Sequence, residues 1–97
     1  MAMFVTLATF TDKGIGAIKD TTKRADAFRE LAKAHGATVK ELLWTMGAFD
    51  IVSIVEAPDE MAMTSLTLAL GKSGNIRGQT LRAFSQADMG KILAKVN

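Results

Sequence analysis

The chain has no cysteine, one proline and one histidine. The missing cysteine excludes disulfides, thiolate metal sites and a cysteine nucleophile, and it suits a reducing compartment. A single proline among 97 residues, with 48% apolar and 23% charged side chains, is not the composition of a collagen or a disordered tail. It describes one compact domain over residues 1–97. Nowhere does an apolar run reach the length of a membrane span, and no basic stretch precedes the apolar residues at Met3 to Phe10, so a cytoplasmic protein without a signal peptide is expected. The 12 basic and 10 acidic residues are dispersed and leave a net charge of +2. A pI near 9.2 therefore reflects a small imbalance, with no polybasic segment to attract nucleic acid or a membrane.

Met3 to Phe10 is rich in β-branched and aromatic types and apolar at both parities, the pattern of a strand buried on two faces. A turn or short helical segment follows around Gly14 to Lys19. Asp20 or Thr21 then caps a helix with Ala25, Phe28, Leu31, Ala32 and His35 on one face, and Gly36 ends it. Thr38 to Thr45 and Phe49 to Glu56 read as two strands joined at Met46-Gly47-Ala48. Pro58 takes the first position of a second main helix, with Asp59 and Glu60 favoured by its positive end. Its stripe is Ala62, Leu66, Ala69 and Leu70, and Gly71 to Gly74 ends it. Asn75 to Phe84 returns as a strand. A final helix starts at Ser85 with a capping box to Asp88 and carries Met89, Ile92, Leu93 and Val96 as its apolar stripe.

This order is α+β, a ferredoxin-like βαββαβ unit with a C-terminal helix. Right-handed crossovers place both main helices on one face of the sheet. Yet Met3, Val5 and Leu7 alternate with Phe4, Thr6, Ala8 and Phe10, and Asp50, Val52 and Ile54 alternate with Phe49, Ile51 and Val55. Two helices cannot cover both sets, so a second copy is expected on the open face. The expected assembly is a dimeric α+β barrel, alone or joined into larger rings. A chain this short buries only about two-thirds of the surface its unfolded form exposes, so the added burial would also stabilise it.

Most candidate chemistry has a plainer reading. His35, in the last turn of its helix, has Lys33 and Lys40 as neighbours and suits the negative helix end rather than a metal or haem. Gly14-Ile15-Gly16 lacks the third glycine of a dinucleotide fingerprint, and Gly71-Lys72-Ser73-Gly74 lacks the phosphate-loop spacing. RNA-recognition domains share the topology, but the third strand, FDIVSIVE, lacks their basic aromatic signature. No cofactor and no metal are implied. The methionines, including Met61, Met63 and Met89, read as packing material.

Trp44 and Asp50 are harder to dismiss, because aspartate is disfavoured in strands and lies here at the start of one. If Thr45 pairs with Asp50 across the turn, those two share one face and Trp44 shares the other with Ile51. In one reading Asp50 takes a neighbouring backbone N–H or pairs with Arg77 or Arg82. In the other, a small cleft at the barrel mouth, walled by Trp44 and lined by Asp50 and one or two of these arginines, takes a polar or anionic small molecule with arginine supplying the grip. Using Asp50 as a catalytic base would require burial to raise its pKa, which the arginines oppose.

The segments FVTLATFTDKGIGAIKDTTKRADA, LLWTMGAFDIVSIVEAPDE and LALGKSGNIRGQTLRAFS resemble, in that order, the bacterial and archaeal GYD domain family. The likeness covers Met3 to Lys95 and implies the ferredoxin-like, dimeric architecture. The family's Gly-x-Tyr-Asp motif falls on Gly47, Ala48, Phe49 and Asp50, with phenylalanine in the tyrosine position, so the aromatic packing role remains and the phenolic hydroxyl does not. Lys23, Arg24, Trp44, Arg77 and Arg82 lie in the matching segments, and no catalytic role comes with them. The expected function is a homo-oligomeric small-molecule-binding or sensory protein, in which Trp44, Asp50, Arg24 and Arg77 contribute to a site near the hairpin for a small anionic or aromatic ligand. The alternatives are a cofactor-independent enzyme acting on a small anionic or aromatic metabolite, or a structural assembly subunit.

Overall fold

The opening apolar run forms β1 (Ala2–Phe10), which has a neighbour on each side: β3 (Ile51–Ala57) and β4 (Ile76–Ala83). That central position leaves neither edge of β1 without a strand partner. β2 (Thr38–Trp44) adds beyond β3, giving one antiparallel sheet in the order β2-β3-β1-β4. The structure, a computed structural model, describes residues 1–96; Asn97, the end of the expected unit, lies outside the described residues. The helices are α1 (Asp12–Gly16), α2 (Thr21–Ala34), α3 (Glu60–Gly71) and α4 (Gln86–Leu93), with a 3-10 turn at Ile18–Asp20 leading into α2. The architecture is the ferredoxin-like α+β arrangement with a C-terminal helix.

Side-chain alternation sorts the sheet into two faces. Phe4 and Ala8 of β1, with Val55 and Ala57 of β3, turn toward the helices and are buried. Phe28 and Ala32 of α2 and Met63 and Leu66 of α3 close over them, so the core is a single layer between helices and sheet. Leu66 is fully buried, a burial that contributes about 1.5–3 kcal/mol. Gly36, at φ +73°, supplies the left-handed turn that returns the chain from α2 toward β2.

Three local expectations are corrected. Pro58 does not open α3: Asp59 is the N-cap, extended at φ −163°, and its carboxylate accepts the Ala62 N–H at 2.8 Å. A cap in extended conformation cannot follow a helical residue 58, so the proline precedes the helix. The third strand starts at Ile51, leaving Phe49 and Asp50 in the connection. Met61 is 83% exposed and packs no core, whereas Met63 is 2% exposed. The capping box of α4 is present, with the Ser85 hydroxyl accepting the Asp88 N–H and the Asp88 carboxylate accepting the Ser85 N–H. The apolar stripe beyond it finds little cover, since Met89, Ile92, Leu93 and Val96 are all exposed.

Candidate functional site

The connection between β2 and β3 is a clamp. Gly47 supplies φ +103°, a value that glycine adopts without strain, and the Thr45 hydroxyl donates to the Phe49 carbonyl at 2.6 Å. Thr45 N–H donates to the Asp50 carbonyl at 2.8 Å, and Asp50 N–H donates to the Ala8 carbonyl at 2.8 Å. The Asp50 carboxylate then accepts the Phe10 N–H at 2.9 Å, satisfying a strand donor where the backbone ladder with β3 has ended. Trp44 pairs with Ile51 on the helix-facing side, and its indole N–H donates to the Thr21 hydroxyl at 3.0 Å. The tip of β2 is thereby tied to the first turn of α2.

On the same side, a cavity of about 220 Å³ lies between α2, the end of α3 and the sheet. Its floor includes Ala8 and Phe10 of β1 and Ile51 and Ser53 of β3; Phe28 and Leu31 of α2 and Leu70 of α3 close it above. Thr21 and Arg24 at the start of α2 and Ser73 and Asn75 after α3 also line it. The Arg24 guanidinium donates to the Ala17 carbonyl at 2.8 Å and to the Gly14 carbonyl at 3.3 Å, holding α1 and the 3-10 turn against α2. No carboxylate lies within ion-pair distance of it among the described residues.

Of the four residues expected to share a site, Arg24 lines the cavity, while Trp44 and Asp50 bond to two of its lining residues, Thr21 and Phe10. Arg77 is on the opposite face, in register with Thr9, whereas its neighbours Ile76 and Gly78 sit across from Phe10 and Ala8. The ion pairs considered for Asp50 do not form. Arg82 instead pairs with Glu60 at 3.3 Å and lies over the rings of Phe4 and Phe84. His35 bonds through Nδ1 to the Ser65 hydroxyl at 2.7 Å and links the two main helices. No cluster of three or more potential metal ligands occurs among the described residues. Ser53 is the residue that sequence reasoning passed over. Its signal was legible: a polar side chain in the buried phase of FDIVSIVE, between Ile51 and Val55.

The open face of the sheet is the second surface. Val5 and Leu7 of β1, Val52 and Ile54 of β3, Leu81 of β4 and Leu43 of β2 form an apolar centre. Glu56 and Glu41 lie toward one end of it, and Arg77 at the other.

Residues 4–93 match the model of the GYD domain. The chain belongs to the GYD domain family. It is 30% identical over 90 residues to the glutamine synthetase and cystathionine beta-lyase binding protein of Thermus thermophilus, covering 92% of this chain and 95% of that relative. In this GYD protein the namesake segment Gly47 to Asp50 is the clamp just described: the glycine makes the turn and the aspartate fastens it to β1. No helix among the described residues is long and apolar enough to cross a membrane.

Proposed function

We propose that this GYD protein is a homo-oligomeric protein-binding module that docks onto a metabolic enzyme. The observation that carries this reading is the match, over nearly the full length of both chains, to a relative named for binding two enzymes. The open sheet face supports self-association, because its apolar centre runs across all four strands. A two-fold axis between the sheets and across the strands would set the Glu56 end of one copy against the Arg77 end of the other, matching charge as well as apolar surface.

The test uses the glutamine synthetase and cystathionine beta-lyase of the protein's own host, each titrated against the intact chain in a calorimeter. Saturable binding to at least one is expected; heat changes no larger than dilution with both would sink the docking reading. Native mass spectrometry reads the oligomer separately, with a dimer expected at about twice 10.4 kDa. Leu81→Glu, at a position 45% exposed in the single chain, should leave folding intact and yield the monomer mass.

A small-molecule role is a second reading, favoured by the cavity of about 220 Å³ beneath α2 and α3.

A further inference from the structure

We propose that this cavity takes a small aromatic or branched aliphatic carboxylate, with the carboxylate at Arg24 and the apolar body directed toward Ser53. The inference rests on the small-molecule reading and adds the chemistry of the ligand.

Size comes first. Interiors seldom hold voids larger than a water molecule, and a void of about 150 Å³ already accepts benzene. At about 220 Å³ this one exceeds that and falls below the range of about 300–1,000 Å³ usual for drug-sized ligands. One ring with a short chain is the scale that fits. The walls, among them Phe28, Leu31, Leu70 and Ile76, call for an apolar body.

Two polar features bound the space. Ser53 is 4% exposed and lines the cavity with its hydroxyl open to it, since no fully enclosed side-chain polar atom among the described residues lacks a partner. Arg24 is the second feature. Two of its N–H groups hold the Ala17 and Gly14 carbonyls, leaving three of the five donors of its fork, and its charge has no carboxylate partner among the described residues. Thr21, the first residue of the 14-residue helix α2, lines the same end, so the helix dipole adds to the attraction for an anion.

The experiment titrates the intact protein with 3-phenylpropanoate and with its uncharged counterpart 3-phenylpropanol. Amide chemical shifts and the fluorescence of Trp44, the only tryptophan, are followed together. The expected result is saturable binding of the acid with shifts centred on Arg24, Phe28 and Ser53, at least ten-fold tighter than the alcohol. Ala69→Leu, which adds volume at the cavity wall without touching a charge, should abolish both. Equal affinity for acid and alcohol would overturn the carboxylate assignment while leaving a ligand cavity. Binding of neither, or acid binding unchanged by Ala69→Leu, would overturn the small-molecule reading itself.

Discussion

The Asp50 carboxylate accepts the Phe10 N–H at 2.9 Å, while the N–H of the same aspartate donates to the Ala8 carbonyl at 2.8 Å. One residue thus extends the pairing of β1 beyond the point where β3 begins. Hydrogen bonds to charged groups contribute about 1.5–3 kcal/mol, and the partial exposure of this one moves the expectation to the bottom of that range or just below it. Asp50→Ala should lower the unfolding free energy by about 1–2 kcal/mol in urea titrations. Asp50→Asn keeps an acceptor and should cost less. Equal stability of wild type and Asp50→Ala would show that the clamp contributes nothing.

Gly14 and Gly16 lie in the same short helix with opposite tolerances. A Cβ at Gly14 would fall 2.0 Å from the Asn75 carbonyl oxygen, whereas one at Gly16 meets nothing within 4 Å. Backbone must shift in the first case, so Gly14→Ala should destabilise by about 1–3 kcal/mol. Gly16→Ala should stay within about 0.5 kcal/mol of wild type. Thermal melts of the two variants side by side check the contrast.

Leu66 and Leu68 are two residues apart in α3, at 0% and 67% exposure. Leu66→Ala removes buried methyl groups and leaves a cavity, at an expected cost of about 2–5 kcal/mol. Leu68→Ala should cost under about 1 kcal/mol. Similar midpoints for the two in chemical denaturation would contradict the burial pattern of α3.

The pH dependence of α4 follows from its cap. The Ser85 backbone N–H, and then the Ser85 hydroxyl contact, hold the Asp88 pKa below its ordinary value. A depressed folded-state pKa contributes stability that is present above the unfolded value, about 3.9, and is lost as pH falls through the folded value. Amide exchange in Gln86–Leu93 should therefore accelerate selectively, relative to α2 and α3, as pH drops below about 4 once intrinsic rates are corrected. Asp88→Asn, which removes the titrating carboxylate, should remove that selectivity, whereas Ser85→Ala, which keeps the backbone N–H, should only weaken it.

Much of this was legible in the chain. The turn at Gly47 was expected from the strand pattern on either side of it, and the Thr45–Asp50 pairing, entertained there as a condition, is present together with the Trp44–Ile51 pair. The apolar run of Met3 to Phe10 announced the first strand, and the Ser85 to Asp88 spacing announced the last helix. Pro58 misled because its fixed φ suits a helix start and the position before a cap alike; only the extended Asp59 decides between them.

Periodicity and local spacing, acting over a few residues, determined the element order, the family resemblance and the two faces of the sheet. What they could not carry is distance across the fold. Arg24 reaches Gly14 and Ala17 because α1 folds back beside α2, and Arg77 is separated from Arg24 and the cavity by the parity of β4 against β1, which sets it across from Thr9. The cavity exists because two helices closing over four strands leave space between Phe28 and Ser53 that no wall residue fills. Packing of this kind depends on the relative placement of whole elements, so the tertiary structure alone decided it.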